Sequence, residues 1–525
     1  MKIFLTMIIV LIGSGLCRGA SDGSSDPKDQ KLINWMRANT CQLTGMPYSY
    51  EPVGVRHDSF MKMGGRYSTT GIIERTIVDR GISIYDAALW QIILGQTGDP
   101  HDLMMARKPA EYYWKGALNE FSNIRAGAGG QIFVYDPRHP QAVSSDIDQN
   151  GSRGFIFRML DAAGEYRSTD PLDGKKYYQD FPNDARIHWE DWKPIAGENA
   201  WVVMAAMHLL NQTSSEDWHA SIEFNLAQEL ARAALYLQAR NGGIRMAPLG
   251  TYYHLLGVLS DASDEEIVQN LDRNAKRFKQ GISVSPEDPE RLGGVDYQPY
   301  HTWYYEEIST ENNLSWYAAL RMLYRLTGRP QYLNGLQHIE QYLRSVWASK
   351  KKIFYQGAHE IQGVWVPNRG PFASDVQNWA IVVLGPQKID EWFGEGSAWD
   401  IWRATKALAG IYNAGSLAGV GFSNEKDRLS IEWTAGAILA VRKLAVYYSL
   451  THPDWAAEAG RDASSMRLGV ETYHFTVRPN EEAYSYSSVR RWIPFGWFSQ
   501  HVPVMSLAST AWIVMVDKNI DPFEL

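Results

Sequence analysis

The chain has 525 residues, of which 45% are hydrophobic and 21% are charged. It can therefore bury a large core, which excludes a disordered or fibrous protein. Its 51 Lys and Arg residues stand against 59 Asp and Glu residues, for a formal net charge of −8, and this balance supplies no basic field for nucleic acid or an anionic membrane surface.

Residues 1–20 predict a secretory signal peptide. A positively charged start precedes an apolar run over residues 3–12, and small residues follow it up to Ala20. The run is too short to span a bilayer, and no later stretch approaches the roughly 20 apolar residues that a span needs. We therefore expect residues 21–525 to form one exported domain, secreted or periplasmic. Cys17 stands where a lipoprotein cysteine would, but the leucine before it fits that signal badly.

Six segments share a polar or small start followed by a run that is apolar nearly all round. Ser, Thr and Asp at such starts can cap free backbone N–H groups, and early carboxylates favour the positive end of the helix dipole. A helix that is apolar nearly all round is buried on most sides. The sequence therefore predicts six inner helices, at residues 83–90, 197–206, 310–320, 374–384, 430–440 and 506–515.

Longer amphipathic segments alternate with these and predict outer helices, because charges lie on one face and Leu, Ala or Trp on the other. Five follow an inner helix, at residues 102–121, 223–240, 331–347, 398–413 and 455–471. The sixth inner helix has no such successor, whereas residues 28–41 have the outer pattern without an inner predecessor. Pairing these two closes a ring of six helical hairpins in which the chain ends meet.

Three long segments rich in Gly, Pro and aromatic residues interrupt this alternation, at residues 127–193, 244–309 and 475–504. Loops of this length in a compact domain usually carry function. Two of them interleave aromatic rings with hydrogen-bonding groups, in clusters formed by Trp189, Glu190, Asp191 and Trp192 and by Tyr300, His301 and Trp303. Sugars suit this mixture, since their C–H faces lie on aromatic rings while their hydroxyls need fixed donors and acceptors. The competing interpretation is that these rings pack onto the core.

The predicted ring, its acidic helix starts and its 20 Trp and 28 Tyr residues resemble the (α/α)6-toroid, or six-hairpin, superfamily of carbohydrate-active enzymes. The motifs are Gly-Glu-Asn-Ala-Trp at 197–201, Ser-Thr-Glu-Asn-Asn at 309–313, Ser-Asp-Val-Gln-Asn-Trp at 374–379 and Ile-Glu-Trp-Thr-Ala at 431–435. The resemblance implies an all-α-dominated toroid of six inner and six outer helices with long aromatic-rich loops. Because the superfamily contains inverting glycosidases, lyases, epimerases and phosphorylases, it implies sugar chemistry more firmly than one reaction.

Acidic residues occupy the starts of five predicted inner helices. If these helices are parallel around one axis, the five carboxyl groups converge in one bowl, namely Asp86, Glu198, Glu311, Asp375 and Glu432. Convergent carboxyl groups suit glycoside hydrolysis, since a protonated one can donate to the leaving oxygen while an ionised one activates water or attacks carbon. Like charges in a desolvated cleft raise one pKa and so separate the two roles. The alternative is that each acid only caps its helix or favours the helix dipole.

Glu432 is the first candidate for the protonated acid, because Ile431 and Trp433 flank it ahead of a buried helix. Glu311 and Asp375 are candidates for its acid/base partner or for a subsite residue. The substrate-binding candidates are the two loop clusters together with Asp86, Glu198, Trp379 and Trp433.

The residues favour a glycosidase that hydrolyses a neutral poly- or oligosaccharide, without metal or cofactor. A partial calcium-loop pattern at 146–151 lacks its closing acid. One alternative is a polysaccharide lyase, in which Tyr300 and His301, with Arg490 or Arg491, support β-elimination on a uronic acid polymer. A ring of carboxylates would repel such an anionic substrate. The other alternative is a toroid that only binds glycan.

Overall fold

The computed structural model describes residues 27–41, 44–53, 78, 81–114, 124–126, 132–134, 155–156, 158–161, 195–212, 218–247, 305–493, 495 and 497–525. The predicted signal peptide, both aromatic loop clusters and the turn at 146–151 lie outside these residues.

The described part of the chain is dominated by helices. They are α1 Pro27–Ala38, α2 Ile84–Gly95, α3 Pro100–Tyr112, α4 Ala196–Asn211, α5 Ile222–Tyr236, α6 Thr310–Thr327, α7 Pro330–Ser345, α8 Ser374–Leu384, α9 Pro386–Phe393, α10 Ser397–Ala409, α11 Ile431–Tyr448, α12 Pro453–Val470 and α13 Leu507–Lys518.

The inner ring consists of α2, α4, α6, α8, α11 and α13. Each of these helices packs against the next in chain order, and α13 returns to α2, so the ring is closed. Their residues are buried over most of each helix, as the predicted all-round apolar pattern requires. At three starts a serine side chain accepts a hydrogen bond from the backbone N–H three residues on, at Ser309, Ser430 and Ser506.

The outer layer consists of α3, α5, α7, α10 and α12, each packed against the inner helix before it, and of α1, which packs against α13. Lys518 Nζ on α13 lies 3.5 Å from Asp29 Oδ2 on α1. The predicted pairing of the two ends of the chain is therefore confirmed, and the architecture is the (α/α)6 toroid.

Short strands connect the helices. They are β1 Tyr50–Pro52, β2 Gly81–Ser83, β3 Ile124–Ala126, β4 Ile132–Val134, β5 Met159–Asp161, β6 Glu307–Ser309, β7 Trp347–Ala348, β8 Ile353–Phe354, β9 Gly357–Ile361, β10 Val364–Asn368, β11 Gly410–Asn413, β12 Ser416–Val420, β13 His474–Arg478, β14 Glu481–Ser485, β15 Trp492–Ile493, β16 Trp497–Phe498 and β17 Val504–Ser506.

The described strands form one sheet in the order β1-β17-β14-β13, another in the order β10-β9-β6, and the pairs β11–β12, β15–β16, β2–β5, β3–β4 and β7–β8. All of their pairings are antiparallel. Three strands, β2, β6 and β17, run directly into the inner helices α2, α6 and α13. The sheets therefore hold those helix starts at one end of the ring.

Two parts of the outer layer differ from the sequence prediction. The predicted helix at 398–413 ends at Ala409, and Gly410 begins a hairpin of β11 and β12. A β-carbon at Gly410 would lie 2.5 Å from the Lys406 carbonyl oxygen, and Gly415 in the turn has a φ of 82°, so glycine suits both positions. The second difference is α9, a short helix between α8 and α10 that the sequence prediction missed.

Among the helices that the structure describes, none combines the length and the apolar character needed to cross a bilayer. Cys41 is a buried free thiol.

Candidate active site

Five carboxyl groups lie in the first turns of five inner helices and face one another at the same end of the ring. The charges of Asp375, Glu198 and Glu432 all act on Glu311, and the charges of Glu432 and Glu198 act on Asp86. Glu432 also acts on Asp375. Together, these five side chains define the carboxylate bowl: Asp86 on α2, Glu198 on α4, Glu311 on α6, Asp375 on α8 and Glu432 on α11.

Glu311 has the environment of a protonated acid. Burial raises its pKa well above the usual range, and the charge of Asp375 raises it further. Ser315 Oγ donates to its Oε1 at 3.1 Å. With the Asn312 amide turned so that Nδ2 faces the acid, this nitrogen donates to Oε2 at 2.5 Å and the amide oxygen accepts from the Gly197 N–H at 3.3 Å. Glycine permits this approach, because a β-carbon at 197 would lie 2.2 Å from the Asn312 amide.

Glu432 is also buried, and two tyrosine hydroxyls form hydrogen bonds with it. The Tyr85 hydroxyl donates to its Oε1 at 2.5 Å, and Tyr486 makes a second hydrogen bond to the carboxyl group. Burial raises the pKa of Glu432 to about 7, while the two tyrosine hydrogen bonds oppose that rise. Trp512 Nε1 donates in turn to the Tyr85 oxygen at 2.7 Å.

Asp375 lies at the start of α8, with 8% of its surface exposed. The Val376 N–H donates to its Oδ1 at 2.7 Å. Burial raises the pKa of Asp375 to about 7; the backbone hydrogen bond opposes the rise, and the charge of Glu432 adds to it. Asp375 and Glu432 therefore both exchange protons near neutral pH.

Asp86 and Glu198 form the side of the bowl next to a cation. Burial raises the pKa of Asp86 to about 8, against the opposing effects of a hydrogen bond with Ser49 and the charge of Arg158. Arg158 Nε lies 3.0 Å from Glu198 Oε1. Among the described residues, nothing forms a hydrogen bond with the buried Glu198 Oε2. This oxygen can accept a hydrogen bond from a ligand hydroxyl.

An aromatic cluster fills the axis of the toroid. The centroids of Trp201 and Trp379 are 5.4 Å apart, and Trp379 stacks on Trp512 at 5.9 Å. Phe523 adds a fourth ring, 5.1 Å from Trp201. Trp379, a predicted substrate-binding residue, is only 4% exposed and belongs to this axial cluster.

Trp433, the other predicted substrate-binding tryptophan on an inner helix, is also buried. Its ring packs against Phe422 at 4.9 Å and Phe495 at 5.8 Å. Arg491, considered above for a lyase, has Nη1 3.2 Å from Asp427 Oδ2. The loop candidates lie outside the described residues: Trp189, Glu190, Asp191, Trp192, Tyr300, His301 and Trp303.

No sequence pattern indicated that Tyr85, Trp512, Tyr486 and Arg158 lie at the site. Tyr85 is the neighbour of Asp86 on a predicted inner helix, but its two hydrogen-bond partners lie 347 and 427 positions away. No local pattern signals such pairs. Within the described ranges, no group of three or more His, Cys, Asp or Glu side chains is arranged to hold a metal ion.

The fold and the bowl define a class, the (α/α)6 toroids. No protein-family model and no curated protein sequence matches the chain. Solved structures do match it along nearly its whole length. A D-mannose isomerase aligns with a TM-score of 0.52 and 10% identity, over 95% of this chain and 98% of that one.

Two further solved structures also match this chain along nearly its whole length. A sugar epimerase from a ruminal bacterium aligns with a TM-score of 0.50 and 11% identity, over 94% of this chain and 98% of that one. Cellobiose 2-epimerase from Bacillus thermoamylovorans aligns with a TM-score of 0.50 and 10% identity, over 94% and 97%. The similarity confirms the toroid fold that the sequence predicted.

Proposed function

We propose that the protein is an exported glycoside hydrolase that cleaves a neutral poly- or oligosaccharide with two carboxyl groups of the bowl. The observation that carries the proposal is the contrast between Glu311 and Glu432. Both face the same bowl and burial raises both pKa values, but the pKa of Glu311 lies well above its usual range, whereas two tyrosine hydrogen bonds limit the rise at Glu432 to about 7.

In this proposal, Glu311 takes the role for which the sequence favoured Glu432: it is the general acid that protonates the leaving glycosidic oxygen. Glu432 is the ionised partner that activates water or attacks the sugar carbon. Asp375, whose pKa burial also raises to about 7, can share a proton with this pair or bind a sugar hydroxyl. Asp86 and Glu198 complete the set of hydrogen-bonding groups.

The charge of the bowl supports a neutral substrate. Five carboxyl groups converge there, and Arg158 is already paired with Glu198. The negative charge of an anionic polymer would make ionisation of these carboxyl groups still more costly, so a uronic acid substrate for a lyase is disfavoured.

A second reaction class has specific support. Three matched structures with TM-scores of at least 0.50 are an isomerase and two epimerases of sugars. Such reactions move hydrogen atoms within the sugar and consume no water. Hydrolysis and isomerisation therefore predict different products from the same substrate.

The test is incubation of the mature protein with neutral glucans, mannans and galactans and, separately, with D-mannose and cellobiose. Hydrolysis increases the number of reducing ends of the glycans, whereas isomerisation or epimerisation changes a sugar at constant mass and number of ends. Our proposal expects new reducing ends from wild type and their loss in Glu311→Gln and Glu432→Gln. Binding without any turnover would favour the non-catalytic alternative.

Export is part of the proposal and has its own test. N-terminal sequencing of protein recovered outside the cytoplasm should show removal of a segment ending near Ala20. Recovery of the intact N terminus in the cytoplasm would contradict export.

A further inference from the structure

Three inner helices are joined by one series of hydrogen bonds beside the bowl. Trp512 Nε1 on α13 donates to the Tyr85 oxygen on α2 at 2.7 Å, and the Tyr85 hydroxyl reaches Glu432 Oε1 on α11 at 2.5 Å. The series crosses from the last inner helix to the first and then to the fifth. It depends on closure of the ring, because only closure brings α13 beside α2.

The chemistry of the three groups sets the direction of this series. An indole N–H can only donate, so the Tyr85 oxygen must be the acceptor in its contact with Trp512. Tyr85 has a single proton to give, and Glu432 Oε1 lies in hydrogen-bond range of it. Burial and the charge of Glu432 raise the pKa of Tyr85 well above its usual value, so its hydroxyl keeps that proton.

Protonation of the same Glu432 oxygen would conflict with this arrangement. A proton on Oε1 would point at the Tyr85 hydroxyl and displace its hydrogen from the short contact. The tyrosine proton would then need another acceptor in a site where unpaired polar groups are costly. The series therefore favours Glu432 as an acceptor.

Aromatic packing holds the donors in place. The Tyr85 ring meets Trp201 edge to face, with centroids 5.0 Å apart and an interplanar angle of 80°. Trp512 contacts the same Trp201 at 5.9 Å and stacks on Trp379 with an interplanar angle of 22°. Neither donor can swing away without disturbing the axial cluster.

We propose that Tyr85 is a positioning residue that keeps Glu432 the proton acceptor of the bowl, and that Trp512 sets the direction in which Tyr85 donates. This inference rests on the proposed function for the role of Glu432 in turnover. The hydrogen-bond relay itself, defined as Trp512, Tyr85 and Glu432, can be tested without any substrate.

Several other titratable groups face Glu432, and their protonation affects any titration of the site. Among the described residues they are Tyr85 and Asp86 on α2, Glu311 on α6, Asp375 on α8 and Tyr486 after β14. A bulk titration would mix their protons. The measurement must therefore resolve Glu432 itself.

The experiment is a carbon-13 NMR titration of the glutamate side-chain carboxyl groups in the full mature protein, with Glu432→Gln to assign the signal. Tyr85→Phe removes the donor and should raise the pKa of Glu432 by about one unit. Trp512→Phe keeps an aromatic ring but removes the indole donor, and should raise it by a smaller amount.

Tyr448→Phe is the matched control. The Tyr448 hydroxyl donates to Asp390 Oδ2 at 2.7 Å, so it is also a tyrosine–carboxylate bond on α11, but at the other end of the helix from Glu432. It should leave the Glu432 titration unchanged. If Trp512→Phe fails to fold, the comparison of Tyr85→Phe with Tyr448→Phe still decides.

An unchanged Glu432 titration in folded Tyr85→Phe would overturn the relay, as would an equal shift in Tyr448→Phe. With an active substrate, the acidic limb of the pH profile of kcat should also move to higher pH in Tyr85→Phe, with the fold intact. If no glycan is cleaved but the NMR shift is seen, the proposed hydrolysis fails and the relay stands. If glycan is cleaved and the shift is missing, the relay alone fails.

Discussion

The ring of Phe523 lies against the indole of Trp201, with centroids 5.1 Å apart. The segment around Phe523 is held at the ends of the inner helices, since Arg321 Nη2 donates to the Phe523 carbonyl at 3.1 Å and His208 Nε2 lies 3.0 Å from the Pro522 carbonyl. The last residues of the chain thus close the axis at the end opposite the carboxylate bowl. Phe523 and the axial aromatic cluster therefore fill the axis beneath the carboxylate bowl.

Phe523→Ala should lower the free energy of unfolding by about 3–5 kcal/mol, because the buried ring leaves a cavity that its aromatic neighbours cannot fill. Urea unfolding followed by circular dichroism measures the effect. Leu450, which is 94% exposed, is the control, and Leu450→Ala should change stability little. Equal stabilities of the two variants would show that the C-terminal segment does not hold the axis closed.

Arg37→Ala should destabilise the protein by about 3–5 kcal/mol, since it leaves the fully buried Asp102 without its cationic partner, with the Thr97 hydroxyl still donating to it. Arg37 Nη2 lies 2.6 Å from Asp102 Oδ2 and Nε lies 2.7 Å from Oδ1, which joins α1 to α3. Arg403, which is 67% exposed and 3.6 Å from Asp400, offers the control, and Arg403→Ala should cost less than about 1 kcal/mol. Thermal or urea unfolding of both variants measures their loss of stability. A similarly small loss of stability in the two variants would contradict the role of α1 in closing the ring.

Asp86→Asn should become more stable relative to wild type as the pH rises. Burial raises the pKa of Asp86 from 3.8 to about 8, so between these values the folded state holds a proton that the unfolded state has released. Wild type therefore loses stability as the pH rises through this window and levels off above it. Asparagine binds no such proton, so the variant escapes that loss.

Urea unfolding at pH 5, 7 and 9 measures this difference. Asp454→Asn provides the control, because Asp454 also lies in the first turn of a helix but is exposed. Asp454→Asn should not reproduce the pH-dependent difference of Asp86→Asn, because this exposed side chain is solvated in the folded and the unfolded state alike. A flat difference for Asp86→Asn as well would mean that Asp86 is not desolvated in the bowl.

Glu311→Gln should reduce kcat on an unactivated glycan by about 10²–10⁴-fold, the usual contribution of general acid catalysis. An aryl glycoside with a good leaving group needs little protonation and should lose much less. Glu432→Gln should lose activity on both substrates. Glu458→Gln, on the outer helix α12 with 43% of its side chain exposed, should behave as wild type, and equal losses on both substrates in Glu311→Gln would rule out its role as the acid.

The ring could be predicted from the sequence because its helices carry two strong patterns. The inner helices are apolar nearly all round, and the outer helices are amphipathic. Residues 374–384 show the all-round apolar pattern and form α8 over the same residues. The hairpin that begins at Gly410 could not be distinguished from the preceding helix, because the spacing of its apolar residues continues the helical period. In the structure the helix ends before Gly410. The helix α9 was missed because its eight residues are too few to show a clear helical period.

The candidate site was predictable only in part. Acids at helix starts suggested a shared bowl, and the structure brings these side chains together. The apolar neighbours of Glu432 in the sequence predicted that its carboxyl group is desolvated, and the structure shows it buried. They did not indicate the two tyrosine hydrogen bonds that oppose the resulting rise in its pKa. Contacts such as Tyr85 to Trp512, 427 positions apart, follow from ring closure and leave no local trace.

The most direct measurement is mass spectrometry of the products that wild type forms from a neutral oligosaccharide in oxygen-18 water. Hydrolysis should give shorter products that carry one oxygen-18 atom at each newly formed reducing end, and these products should be absent with Glu311→Gln. A product of unchanged length, which gains deuterium at a sugar carbon when the reaction is run in deuterated water, would contradict hydrolysis and identify an isomerase or epimerase.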